Sequence, residues 1–314
     1  MRVVFMGSPE FALPTLRGLL SAGFQLPLVV TQPDRPAGRG RHSVSPPVAR
    51  AARESGLTVY QTATLRSSEA RAPIELARPD AIVVASFGLL LPQAMLDVPP
   101  LGCLNVHPSL LPRHRGASPI PATLLAGDAE TGVSIMLMEA GLDSGPILSH
   151  TVVAVGPNDD ALSLERSLAE LGANLLVRTL RDWVARSIVP RPQGNAETTY
   201  APKIRREDAL LDWRLPAREL ERRVRAYRAW PVAYTLLRSE PLKVLRAESL
   251  NLRLEGEPGQ VRFPLASGRH RGPPAVITGD GLLILHEVVP AGRGTLSGED
   301  FARGQRDLDQ LQLG

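Results

Sequence analysis

The 314-residue chain is long enough for one large and one smaller domain, and its 43% hydrophobic content is ample for their cores. Its single cysteine, Cys103, excludes an internal disulfide and a cysteine-built metal site, and no apolar run is long enough to span a bilayer or has the basic start of a signal peptide. A soluble, cytoplasmic monomer is expected. The formal net charge of +4 lies wholly in residues 201–314, which hold 19 Lys and Arg against 15 Asp and Glu; a polyanionic partner and an arginine-rich composition with no partner fit this equally well.

Arg2 to Met6 is an apolar run, followed by Gly7-Ser8-Pro9-Glu10-Phe11 and by Leu13, Leu16, Leu19 and Leu20 at helical spacing, with a second apolar run from Phe24 to Val30. Strand, turn, helix and strand in that order predict a doubly wound, mostly parallel sheet whose ligands sit beyond the carboxyl ends of its strands. A dinucleotide fold starts in the same way, but Pro9 falls where its G-x-G-x-x-G turn needs a compliant backbone. Residues 32–47 contain four prolines, two glycines, Arg35, Arg39, Arg41 and His42 without apolar periodicity, which predicts a long exposed loop carrying cations. A helix over Val48 to Glu54, a strand over Leu57 to Tyr60, a helix over Glu69 to Arg78 and a strand over Ala81 to Ala85 follow, the last ending in Ser86-Phe87-Gly88-Leu89.

Cys103 to His107, if extended, projects Asn105 and His107 from one face and Val106 from the other. An amide can donate to an oxygen that is gaining negative charge, and an imidazole can move a proton at neutral pH, a pairing suited to acyl transfer. Pro108 and Pro112 force the strand into a defined loop. Val133 to Met138 reads as a buried strand, and Gly141 to Gly145 as a tight turn presenting Asp143, which could orient His107. Asn105 as a turn former, His107 as a satisfied core histidine and Asp143 as a cap of its own loop stay open on these spacings. Asp160 to Val184 reads as one long helix. Residues 189–207 are polar and broken and read as a linker ending in Lys203, Arg205 and Arg206. Ala217 to Tyr227 reads as an amphipathic helix with Arg218, Arg222, Arg223 and Arg225. Short apolar segments at 233–237, 242–245, 259–263, 275–277 and 282–289 then suggest a small β-barrel.

The set Asn105, His107 and Asp143, with Ser109-Leu110-Leu111-Pro112 and the Gly141 to Gly145 turn, resembles the formyltransferases that use 10-formyltetrahydrofolate. With Met6 to Phe11, Thr31 to Gly40, Arg115 to Ile120, Tyr200 to Ile204 and Trp230-Pro231, the resemblance extends end to end to the branch acting on charged initiator methionyl-tRNA. It implies a Rossmann-like catalytic domain over 1–188, a linker over 189–207 and an OB-like tRNA-binding domain over 208–314. The catalytic set would be Asn105, His107 and Asp143, and the folate would be lined by Phe87, Gly88 and Leu89 and by Ser109, Leu110, Leu111 and Pro112. By the same resemblance Arg35, Arg39 and Arg41 would contact tRNA, Arg39 foremost, as would Lys203, Arg205 and Arg206, and no metal is needed. Ser144 stands where the family often has Thr, and Ala229 where it often has Pro. A formyltransferase acting on a sugar-nucleotide amine is the alternative, sharing the catalytic set without needing the arginine loop.

Overall fold

The computed structural model describes residues 1–37, 42–194, 196–263, 272–305 and 311–314. Arg39 and Arg41, both expected at a tRNA contact, lie outside the described residues. Contacts divide the chain into two units, one of residues 1–119, 129–155 and 164–202, the other of residues 120–128, 156–163 and 203–314.

The elements in chain order are β1 (Arg2–Gly7), α1 (Leu13–Ser21), β2 (Gln25–Thr31), β3 (Arg35–Ala37), β4 (His42–Val44), α2 (Pro47–Glu54), β5 (Val59–Gln61), α3 (Ser68–Leu76), β6 (Ala81–Ala85), α4 (Gln93–Leu96) and β7 (Cys103–His107). Next come β8 (Arg115–Gly116), α5 (Pro119–Ala126), β9 (Glu130–Leu137), β10 (Ile147–Ala154), α6 (Ala161–Val184) and β11 (Tyr200–Ala201). The remainder is α7 (Ala217–Ala226), β12 (Tyr234–Leu237), β13 (Glu240–Leu250), β14 (Val261–Arg262), β15 (Ala275–Ile277), β16 (Leu282–Pro290), β17 (Leu296–Ser297) and α8 (Gly298–Arg303).

The first unit is built on a seven-stranded sheet in the order β10-β9-β7-β6-β1-β2-β5. The strands from β7 to β5 in that order pair in parallel, and β9 and β10 add an antiparallel edge. Parallel strands covered on both faces must be apolar throughout, and Val3 to Met6 and Ala81 to Ala85 accordingly have no exposure above 5%. On one face Val4, Met6, Val30, Ile82, Val84 and Cys103 pack with Ile74 of α3 and Met95 and Leu96 of α4. On the other, α6 approaches the sheet at Gly172, where a Cβ would meet Val106 at 2.8 Å and Val133 at 3.2 Å. The predicted open loop over 32–47 is partly ordered as a ribbon instead, with Arg35 paired to Val44 and Ala37 to His42. Main-chain hydrogen bonds hold it where apolar periodicity could not.

In the second unit all the strand pairings of β12 to β17 are antiparallel, and the path β12-β13-β16-β15-β14 carries β17 beside β16. Its core joins Leu220 and Val224 of α7 to Leu242, Val244, Leu283 and Leu285. Trp213 is buried there because its indole N–H finds the Thr235 hydroxyl at 3.0 Å. Two of the four α7 arginines are paired within the unit, Arg223 to Glu219 at 3.1 Å and Arg225 to Glu221 at 2.5 Å, so these two are not free cations.

Candidate active site

Strand β7 sits between β6 and β9, with Asn105 opposite Val84 and Met136 and with His107 opposite Ser134. Because Val106 is turned toward α6, the pleat sends Asn105 and His107 out of the other face at the carboxyl end of the strand. Asn105 is half-buried, and among the described residues its carboxamide has no hydrogen-bond partner. His107 is only 4% exposed.

The His107 ring is fixed from one side. Its Nε2 lies 3.1 Å from the main-chain carbonyl of His114, which can only accept, so the neutral ring carries its proton on Nε2. Nδ1 then faces Asp143, whose Oδ2 is 3.8 Å away. That is an ion-pair separation, too long for a hydrogen bond. The same Oδ2 accepts the Gly116 N–H at 2.8 Å, which holds the carboxylate in place. Burial lowers the His107 pKa below the ordinary 6.5, opposed first by the Asp143 charge and then by the His114 carbonyl, so the ring is neutral at pH 7.

The loop after β7 is pinned to β9 rather than free to move. The Ser134 hydroxyl accepts the Leu111 N–H at 3.1 Å and donates to the Ser109 carbonyl at 2.8 Å. Ser109 itself is fully buried and donates to the Arg113 carbonyl at 2.7 Å. Leu110 and Pro112 are half-buried, Leu111 is buried, and the Leu111-Pro112 peptide is cis.

Phe87 and Gly88, just beyond the β6 strand that pairs with β7, line a cavity of about 420 Å³ that Arg35 also lines, together with Ser8, Gln32 and Pro46. Gln32 organises it, donating to the Phe87 carbonyl at 2.9 Å and accepting from Arg35 at 2.5 Å. Gly88 has a φ of +76°, and a Cβ there would lie 2.5 Å from the Gln32 amide nitrogen. Leu89 does not line this cavity; it packs partly buried against the core beneath the sheet. Asn105, His107 and Asp143 do not line it either. Lys203, Arg205 and Arg206 are exposed in the second unit, Arg205 lying 3.9 Å from Glu207. Among the described residues no group of three or more His, Cys, Asp or Glu could hold a metal ion, and no helix is long and apolar enough to cross a membrane.

Two side chains gain importance only in three dimensions. Gln32 appears in the sequence merely as a member of a proline-rich run. Gln193, in the polar stretch read as a linker, donates to the carbonyls of Asp143 and Gly145 at 2.9 and 2.7 Å and accepts from Arg115. The adjoining Tyr200–Ala201 strand pairs with Arg115–Gly116.

Residues 1–180 match the family model "Formyl transferase" and residues 203–306 match "Formyl transferase, C-terminal domain". The chain belongs to the formyl transferase family. Its full-length relatives include the methionyl-tRNA formyltransferase of Dehalococcoides mccartyi (strain CBDB1), 44% identical over 100% of this chain and 99% of that one. The methionyl-tRNA formyltransferase of Thiobacillus denitrificans (strain ATCC 25259 / T1) is 45% identical with 100% of both chains covered. Within the family it is this methionyl-tRNA group that the chain resembles over its whole length. The solved N-formyltransferase of Helicobacter canadensis shares the fold, with a TM-score of 0.65 over 90% of this chain and 97% of that one at 16% identity.

Proposed function

We infer that the chain transfers the formyl group of 10-formyltetrahydrofolate to the α-amino group of charged initiator methionyl-tRNA. The observation that carries the chemistry is a half-buried, unpartnered Asn105 amide on the same strand face as a buried, neutral His107. The amine attacks the formyl carbon and forms a new C–N bond, while the formyl oxygen becomes an oxyanion. Asn105 donates to that oxygen, a contribution of about 3 kcal/mol for one such donor. His107 accepts the amine proton at Nδ1, directly or through water, and the resulting imidazolium faces Asp143 at 3.8 Å. As the C–N10 bond breaks, that proton passes to N10 and tetrahydrofolate leaves.

Phe87, Gly88 and Leu89, with Ser109, Leu110, Leu111 and Pro112, would line the folate. Ser109 would contribute by holding the loop, since its hydroxyl donates to the Arg113 carbonyl, its N–H to the His107 carbonyl, and its own carbonyl accepts from Ser134. Arg35, Arg39 and Arg41, with Lys203, Arg205 and Arg206, would meet tRNA phosphates. On this reading residues 1–188 are the catalytic domain, 189–207 the linker and 208–314 the OB-like tRNA-binding domain, in a cytoplasmic monomer. Full-length likeness to methionyl-tRNA enzymes favours this acceptor over a sugar-nucleotide amine.

The test is transfer of labelled formyl to charged initiator tRNA, beside uncharged tRNA and a sugar-nucleotide amine. Transfer to the charged tRNA alone is expected, and Asn105→Ala should lower kcat about a hundredfold with little change in either KM. Transfer to the sugar amine instead would overturn the acceptor assignment. A near-normal Asn105→Ala would remove the oxyanion role.

A further inference from the structure

We propose that Gln193 is a positioning residue for formyl transfer, holding the Asp143 turn in place by bridging it to the buried Arg115. The proposal rests on the catalytic reading of Asp143 given above. Asp143 has a φ of +47°, in the left-handed region that aspartate enters more readily than most non-glycine residues but still only as a minority conformation. The turn that carries it, between β9 and β10, needs an external tie. Gln193 supplies two, its Nε2 donating to the Asp143 and Gly145 carbonyls on either side of Ser144 at 2.9 and 2.7 Å.

The other end of the amide is equally occupied. Its Oε1 accepts from Arg115 Nε at 3.0 Å and Nη2 at 2.8 Å, so both N–H donors and both acceptor positions of the carboxamide are used. Arg115 is only 6% exposed, and among the described residues no carboxylate lies within ion-pair distance of it. Its main chain is fixed as well, the Arg115 N–H donating to the Thr199 carbonyl at 2.9 Å. Next to it, Gly116 is the residue whose N–H holds Asp143 Oδ2. Gln193 therefore closes a ring: it fixes the backbone of the Asp143 turn relative to the segment that fixes the Asp143 carboxylate. A glutamate in its place would still accept from Arg115, but it could not donate to the two carbonyls. A 1 Å misplacement of a reacting group costs about a hundredfold in rate, which is the scale of effect such a brace controls.

The experiment measures labelled-formyl transfer by Gln193→Ala and Gln193→Glu in the full chain, each alone and combined with Asp143→Asn. Titration of the His107 ring by NMR accompanies the kinetics. Gln193→Ala is expected to lower kcat roughly ten- to a hundredfold with both KM values within about twofold, and to lower the pH at which His107 titrates, as Asp143 moves away. Gln193→Glu should be comparably slow although it keeps a partner for Arg115. Adding Gln193→Ala to Asp143→Asn should cost nothing further, because the group being positioned is already gone. A slow Asp143→Asn with a fully additive loss from Gln193→Ala would overturn the positioning role alone, as would wild-type turnover in Gln193→Glu. Wild-type turnover in Asp143→Asn would instead overturn the catalytic reading and the positioning role with it.

Discussion

At the residue scale, the 3.8 Å between His107 Nδ1 and Asp143 decides what the carboxylate contributes. It does not set the tautomer, which the His114 carbonyl has already fixed; it acts through its charge on the protonated ring. Burial, the larger influence, depresses the His107 pKa, and the Asp143 charge pulls it back up. Asp143→Asn should therefore move the acid limb of the kcat profile to lower pH while lowering its plateau, and a shift to higher pH would contradict this account. The faces around the ring hold two other relevant groups, the His114 carbonyl raising and the His114 side chain lowering the same pKa. The depressed value also bears on folding. His107 contributes stability that is present above about pH 6.5 and lost as pH falls toward its folded pKa, because the unfolded chain binds the proton first. His107→Gln should flatten that part of the stability curve, measured by denaturant titration between pH 5.5 and 7.5. Cys103 behaves as a core residue, with burial pushing its thiol pKa to about 12.

At the element scale, the Asp143 turn depends on how closely its chain passes β9. A Cβ at Gly145 would fall inside contact distance of the Leu137 carbonyl, so Gly145→Ala must push the turn off the strand. A loss of about 1 to 3 kcal/mol is expected, the usual range for forcing extra atoms into a packed site, with a larger proportional fall in kcat than in stability. Equal kcat in a destabilised Gly145→Ala would show that the turn's position is not critical. The neighbouring β10 escaped sequence reading altogether. It alternates Ser149 and Thr151, half-buried, with exposed His150 and Val152, and so lacks the apolar run that marks β6. An edge strand is specified by its partner's main chain more than by its own side chains.

At the scale of the whole molecule, ion pairing decides which cations of residues 201–314 carry their basic excess. Arg223 and Arg225 are paired to Glu219 and Glu221, while Lys203 and Arg206 are exposed and have no ion-pair partner among the described residues. Replacing Lys203, Arg205 and Arg206 together by Ala should raise the KM for charged tRNA and leave that for the folate unchanged. The salt dependence of the tRNA KM should flatten by about two in log–log slope rather than three, since Arg205 shares its charge with Glu207 at 3.9 Å. An unchanged slope would assign these cations to solvated surface. Arg225→Gln is expected to weaken α7 without altering the tRNA KM.

The sequence alone determined what is encoded locally. The apolar runs of β1, β2 and β6 and the helical spacing of α6 and α7 specify their own conformation, and the alternation within β7 puts Asn105 and His107 on one face. The tertiary structure decided what depends on residues far apart in the chain. It set the His107 tautomer through the His114 carbonyl, the 3.8 Å to Asp143, the Gln32 and Gln193 bridges, and the ribbon within residues 32–47. A hydrogen bond from Gln193 to Asp143 spans 50 residues and follows no periodicity, so only the folded chain brings its donor and acceptor together.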